Sequence, residues 1–302
     1  MLSNKEIVCP EKLIKLAKTK GPIKVVVVNA GKAVSIESTK QAVEEGLIDP
    51  IFIGDQKIIE SLANEIKWDI SNFEIINEPI ENNTAPIAAK MASEGKVKII
   101  VKGHIHTDIL MKAVLKRDLN LIGKKRLSHV WHMTLNKNDK PFIITDGALN
   151  VLPKLETKMH ILKNSVDFAK RIGINKPKVS VLSATEEVLE SVPSSLDAKE
   201  LTDRAKKEGI DADVFGPMAF DNSVSEKAAQ IKGINNAVAG KTDILLVPNV
   251  EAGNGLVKMM IYFMGACAAG VVVGGKVPVV ITSRDDSAPA RLASIAAAIV
   301  AH

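Results

Sequence analysis

One pattern recurs along this chain and limits the folds open to it. A short aliphatic run of strand length ends at a glycine or polar turn, and a stretch of helical composition follows. Residues 23–28 (IKVVVV) are the clearest case: β-branched positions dominate, residues 29–31 (NAG) break the run, and residues 35–45 have helix-forming composition. Similar runs lie at 50–53, 97–101, 130–133 and 142–144, with helical stretches at 84–94 and 109–116. The second half repeats the scheme. Its runs are 179–182, 212–215, 244–247, 269–273 and 277–282, and its helical stretches are 225–231, 255–266 and 288–301. Strands this aliphatic have no polar face to offer water. They predict an α/β class with mainly parallel sheets covered by helices on both faces. A length of 302 residues suits two such domains or one large unit. The composition shifts at residues 146–158, around Gly147, Asn150 and Pro153, which marks the expected junction.

Composition narrows function more than fold. Apolar residues make up 46% and charged residues 25%, which excludes a disordered or fibrous chain. The formal charge of +5, spread without a long basic run, is thin for a nucleic-acid binder but suits a small anionic substrate. Aromatics are only 3%, with Tyr262 the single tyrosine, so stacked platforms for single-stranded nucleic acid are not expected. Two cysteines, Cys9 and Cys267, make no disulfide framework and imply a reducing, cytoplasmic setting. The first residues are charged and amphipathic rather than signal-peptide-like. Residues 259–275 carry no charge, yet they are short and glycine-rich for a membrane span; a buried helix leading into a strand fits better.

In parallel sheets, ligands sit beyond the carboxyl ends of the strands, so the polar residues after each run are the candidates for chemistry. Asn29-Ala30-Gly31-Lys32 matches neither a dinucleotide fingerprint nor a P-loop and reads as an ordinary strand-to-helix turn. His104, His106, His129 and His132 allow two readings: an H-x-H metal pair completed by carboxylates, or histidines that cap strand ends and bond backbone groups. The segment Thr282-Ser283-Arg284-Asp285-Asp286-Ser287 is the strongest signal. Ser287 or Asp286 can cap the helix that follows, its first N–H groups would face an anion, and Arg284 adds a planar cation suited to phosphate oxygens. The adjacent carboxylates suit proton transfer. A second polar loop, residues 248–255, offers Glu251 as acceptor, Asn254 as amide and two glycines for close backbone approach.

Taken together, several of these segments make a recognisable set. Residues 244–254 (ILLVPNVEAGN), 277–287 (VPVVITSRDDS) and 216–225 (GPMAFDNSVS) resemble motifs of the phosphate acetyl/butyryltransferase family. Residues 182–186 (LSATE) and 193–198 (PSSLDA) match in the same order, as do 106–108 (HTD), 126–129 (RLSH) and 144–150 (ITDGALN). The likeness is loose before about residue 95 and dense from Lys178 onward. It is nearest to the branch sometimes fused to an enoyl-CoA hydratase domain.

The resemblance implies reversible transfer of a short acyl group between CoA and inorganic phosphate in a direct ternary complex. CoA would be a substrate, and neither metal nor cofactor would be needed. It also implies a three-layer αβα architecture of isocitrate- or isopropylmalate-dehydrogenase type and a homodimer. Residues 1–145 with 276–302 would form one domain and 146–275 the other, with the active site in the cleft between them. Within that scheme Arg284 would hold the phosphoryl group and Ser283 the oxyanion that develops at the acyl carbon. Asp286 would be the base toward the CoA thiol, with Asp285 behind it. The matching motifs add Thr107, Asp108, Asn150, Asp221, Glu251, Asn254 and Ser287 as substrate contacts. The chain departs from the acetyl-specific branch at Ala290 (an Asp there), Met111-Lys112 (an Arg-Pro pair) and Gly147 (a Cys). These departures point to a butyryl-type or broad short-acyl preference. Two rivals are a metal- and NAD(P)-dependent decarboxylating dehydrogenase of the same architecture and a non-enzymatic solute-binding module. The first lacks its aspartate cluster and nicotinamide site, and the second a signal peptide.

Overall fold

The computed structural model describes residues 2–123, 125–283 and 286–302. Helix α1 (Glu11–Lys18) precedes a regular alternation: β1 (Ile23–Val28), α2 (Ala33–Glu44), β2 (Ile48–Gly54), α3 (Gln56–Glu65) and β3 (Ile75–Asn77). Next come α4 (Glu81–Ser93), β4 (Ile99–Lys102) and α5 (Thr107–Val114), then a 3-10 turn at Arg117–Leu119. The middle of the chain forms β5 (Ser128–Thr134), β6 (Phe142–Thr145), α6 (Leu155–Arg171), β7 (Lys178–Leu182), α7 (Pro193–Lys207) and β8 (Asp213–Met218). It continues through α8 (Phe220–Val224), α9 (Glu226–Ile231), β9 (Ile244–Leu246) and α10 (Val250–Met264). Strands β10 (Cys267–Val273) and β11 (Val279–Val280) and helix α11 (Ala288–Ala301) complete the described elements.

The chain divides into two compact units. An outer unit holds Ile7–Lys125 and Ala269–His302; a middle unit holds Arg126–Ala268 and residues 2–6. In the outer unit the strand order is β3-β2-β1-β4-β11-β10, parallel except where β10 meets β11. In the middle unit it is β5-β6-β9-β7-β8, parallel except at β5–β6. Mostly parallel strands with helices between them make this an α/β fold, as the aliphatic runs require.

Both crossings lie earlier than the expected bounds. The first falls after Lys125 rather than Thr145, because β6 pairs with β5 on one side and β9 on the other, which ties residues 126–145 to strands that follow them. The second falls inside β10, after Ala268, rather than at residues 275 and 276. From there Val272 pairs with Val279, and the Gly270 N–H donates to Ser294 Oγ of α11 at 3.0 Å.

Two other expectations need correction. Gly216-Pro217 lies inside β8 and not after it; β8 closes the strand order, where a missing N–H is tolerated. His129 and His132 lie within β5, which is buried along its whole length, rather than at a strand end. Residues 259–275 divide into the end of α10 and β10, and no helix among the described residues is long and apolar enough to cross a membrane.

Helix α11 packs against α1, α2, β4 and β11, and every residue from Ala290 to Val300 is buried. Alanines make such all-round burial possible by letting neighbouring elements approach closely. Arg291 is the one charged residue in this helix.

Candidate active site

In the outer unit, β1, β4 and β11 run parallel side by side, so their carboxyl ends meet at one edge. The turn after β4 must pass against the turn after β1. A Cβ on Gly103 would lie 2.4 Å from the Val28 carbonyl oxygen and 2.6 Å from that of Asn29, so only glycine fits. The two turns are then latched together. Gly103 N–H donates to Val28 O at 2.9 Å, His104 N–H to Asn29 O at 2.8 Å, and Asn29 Nδ2 returns a bond to His104 O at 2.6 Å. Asn29 holds φ 52°, a left-handed conformation that Asn tolerates better than most residues.

Above these ends opens a cavity of about 320 Å³. Its lining includes Lys32, Lys102, His104, Thr282, Ser283 and Arg291, together with Val34, Ser35, Gly103 and Ile105, and has no carboxylate among the described residues. Lys32 is also the N-cap of α2 and makes no side-chain cap; its carbonyl accepts the Ser35 and Ile36 N–H groups, so the start of that helix adjoins the cavity. Positive side chains beside a helix N-terminus suit an anion.

Thr282 and Ser283, which follow β11, belong to the lining of this cavity. Ser283 is exposed, and its N–H donates to Asp286 Oδ2 at 2.6 Å. Ser287 is the N-cap of α11 and accepts from the Ala290 N–H at 3.4 Å. Arg291 reaches back from the helix to Thr282 Oγ1, Ser283 O and Asp286 O. Ser283, Asp286 and Ser287 therefore share one short loop; Arg284 and Asp285 lie outside the described residues. Thr107 and Asp108 are exposed in the first turn of α5, after β4, but do not line the cavity.

The remaining candidates belong to the middle unit, where β6, β9, β7 and β8 end at a common edge. Asp146, after β6, is buried and fully engaged. One oxygen accepts the Ala148 and Leu149 N–H groups at 3.0 and 2.9 Å; the other accepts the His129 N–H at 2.9 Å and Asn150 Nδ2 at 2.6 Å. Asn150 also donates to Leu127 O at 3.0 Å, so its amide organises this turn. Gly147 abuts Gly253 of α10: a Cβ on Gly147 would lie 2.9 Å from the Gly253 carbonyl carbon. That contact sets exposed Asn254 against the Gly147 carbonyl at 3.5 Å, with exposed Glu251 in the first turn of α10. Asp221 stands apart, after β8. It shares Lys232 with Glu186, both at 3.4 Å. Desolvation opposes the Lys232 charge, but attraction to Asp221 and Glu186 holds its pKa above the usual lysine value.

The histidines resolve differently from one another. His104 is fixed by its backbone bonds to Asn29, and His106 is the exposed N-cap of α5. Burial drives His129 and His132 down to about 4, so both are neutral at physiological pH. Their Nδ1 atoms have no hydrogen-bond partner among the described residues. No group of three His, Cys, Asp or Glu placed to hold a metal occurs among the described residues. Burial pushes the Cys9 thiol up to about 12, which removes it as a nucleophile.

Arg291 is the residue that reading strand ends alone passes over, because it lies inside a helix. Its signal was present nonetheless: a single charge in fourteen otherwise uncharged, mostly aliphatic residues needs a buried partner.

Comparison with known proteins agrees with this geometry. Residues 72–299 match the family model described as phosphate acetyl/butaryl transferase. A phosphate acetyltransferase of Rhizobium meliloti is 39% identical over 289 residues, covering 95% of this chain and 92% of the relative. A phosphate butyryltransferase of Clostridium acetobutylicum is 39% identical over 293 residues, covering 96% and 97%. The crystal structure of a branched-chain phosphotransacylase from Enterococcus faecalis superposes with a TM-score of 0.81 at 32% identity, covering 92% of this chain and 98% of that one. A positively lined cavity that includes Ser283, matched motifs in one order and relatives alike along nearly their whole length lead to one assignment: the chain belongs to the phosphate acetyl/butyryltransferase family.

Proposed function

We propose that this phosphate acyltransferase moves a short acyl group reversibly between CoA and inorganic phosphate, with the reacting groups handled by the loop after β11. The observation that carries the reading is the cavity beside that loop, with Lys32, Lys102, His104 and Arg291 in its lining and Ser283 at its rim. In the direction of acyl-CoA synthesis, the CoA thiol loses its proton to Asp286. The thiolate attacks the acyl carbonyl, Ser283 Oγ donates to the oxyanion, and the C–O bond to phosphate breaks with Arg284 holding the departing phosphate. Free thiols ionise near pH ~8.5, so a base is useful at neutral pH. Thr107, Asp108, Asn150, Asp221, Glu251, Asn254 and Ser287 are assigned to substrate contact in the same proposal. No metal takes part in it. The isocitrate-dehydrogenase-like description of the fold belongs with it as well.

A butyryl-type or broad preference is supported at two positions. A Cβ at Gly147 meets backbone at 2.9 Å, which leaves no room for cysteine without a shift, and Ala290 is buried in the first turn of α11. A homodimer is supported by α10, whose Leu256, Met260 and Ile261 pack inward while Met259, Tyr262, Phe263 and Met264 stay exposed. A helix apolar on both faces has a second surface to cover. The cysteine-poor composition supports a cytoplasmic setting.

The deciding experiment is Arg284→Ala, followed by phosphate-dependent CoA release from acetyl-, propionyl- and butyryl-CoA. Loss of about 10²–10³-fold in kcat with an unchanged melting temperature is expected; turnover near that of the parent chain overturns the assignment.

A further inference from the structure

A guanidinium is an expensive occupant for a helix buried in apolar surroundings. Desolvating it costs several kcal/mol unless its donors are satisfied, and an aliphatic residue would pack α11 with no such cost. Arg291 is only 8% exposed. Three of its nitrogens reach three acceptors on a single loop: Nη1 donates to Thr282 Oγ1 at 3.2 Å, Nη2 to Ser283 O at 2.6 Å and Nε to Asp286 O at 3.0 Å. Helix geometry makes this reach natural. Each Cα–Cβ bond tilts toward the helix N-terminus, so a side chain in the second turn of α11 lies over the loop that enters it.

Among the described residues the acceptors are two backbone carbonyls and a hydroxyl. Their spacing matches the rigid fork of arginine and not the single ammonium of lysine. The bonds tie down the residue before Ser283, Ser283 itself and Asp286, while Asp286 Oδ2 receives the Ser283 N–H. Ser283 is thus anchored through both its carbonyl and its N–H, with its side chain left exposed at the cavity rim.

We propose that Arg291 is a positioning residue for acyl transfer. It fixes Thr282, Ser283 and Asp286, so that Ser283 is held where the oxyanion forms, and it brings a permanent positive charge to the lining of the cationic cavity. The inference rests on the reading of the loop after β11 given under the proposed function.

The test uses the full chain with Arg291→Ala and Arg291→Lys, varying acyl-CoA and phosphate separately. Arg291→Ala is expected to lower kcat by about 10²-fold, since a misplacement near 1 Å costs that much, with KM for acyl-CoA nearly unchanged. Millimolar guanidinium should restore a substantial part of the rate, while equal methylammonium or sodium chloride should not. Arg291→Lys should recover less than about a tenth of kcat at an unchanged melting temperature, because it keeps charge but loses the fork. If the alanine variant does not fold, the lysine variant decides alone: full kcat overturns the proposal, and low kcat in a stable protein supports it. A lower melting temperature with normal kcat per folded molecule also overturns it. Arg284→Ala measured alongside separates the two readings. If it is inactive while both Arg291 variants keep their kcat, the loop assignment stands and only the positioning role falls; if it is active, the loop assignment itself fails.

Discussion

The two units expose opposite chemistry at equivalent places. Where β1, β4 and β11 end, the outer unit gathers Lys32, Lys102 and Arg291 around a cavity with no carboxylate among its described lining. Where β6, β9, β7 and β8 end, the middle unit carries Glu186, Asp221 and Glu251, with Asp146 buried in its own turn. Both edges follow the same rule of parallel sheets, and both rely on a glycine at a close backbone approach, Gly103 in one and Gly147 in the other. The fold therefore dictates where ligand groups are presented, whereas the turn residues set the sign of the charge. The interiors differ too. The middle unit buries two neutral histidines on β5, while Val25 to Val28 of β1 make a wholly aliphatic strand centre in the outer one.

The largest effect that would test this comparison concerns the two glycines. In Gly103→Ala the new methyl meets backbone oxygen at 2.4 Å and has nowhere to rotate, so a stability loss of about 3 kcal/mol is expected. In Gly147→Ala the nearest contact is 2.9 Å, and about 1 kcal/mol is expected. Urea melts of the two variants measure the difference. Equal losses would mean that the two turns are not held with different tightness.

Acid should soften the middle unit first. The folded pKa of His132 is about 4 against 6.5 for the unperturbed group, so the unfolded chain binds its proton first. Its contribution is intact above about pH 6.5 and declines as pH falls toward 4, amounting to a loss of about 2 kcal/mol at pH 5. His129 shifts the same way, for the same reason of burial. Hydrogen exchange at pH 7.5 and pH 5 should show protection lost around β5 before β1, and His132→Gln should flatten the pH dependence. Earlier loss in β1 would contradict this expectation.

The smallest effect addresses charge directly. Lys102→Glu should raise KM for phosphate on the order of tenfold, and more at low salt, because it places a negative charge in the cationic cavity. Lys232→Glu, made in the acidic cluster of the middle unit, should leave KM for phosphate nearly unchanged. Equal responses would erase the division between the units.

Much of this was legible in the chain itself, for identifiable reasons. The runs at 23–28 and 244–247 are β-branched or aliphatic and bounded by polar turns, and both became strands whose ends carry candidate residues. The pairing of Ser287 with α11 followed from ordinary capping chemistry. By contrast α6 has mixed composition, with Lys, His and Asn interleaved among its apolar positions, and its buried face is defined only by the strands beneath it. Residues 126–145 looked continuous with what precedes them because pairing between β6 and β9 is a contact across about a hundred residues. Arg291 was hidden for a related reason: its three acceptors lie upstream of its own helix, and local composition shows only an alanine-rich segment.

The place of β11 in its sheet has a consequence for biogenesis. It lies between β4 and β10, so the unit that opens the sequence takes an interior strand and its most buried helix from the end of it. On the ribosome, β1 to β4 would emerge early and wait with the edge of β4 unpaired until β11 is released. The middle unit could complete its strand pairings long before then. Termination just before β11 would leave the middle unit nearly whole while stripping the outer one of its centre, turning a distant lesion into an aggregation hazard around β4.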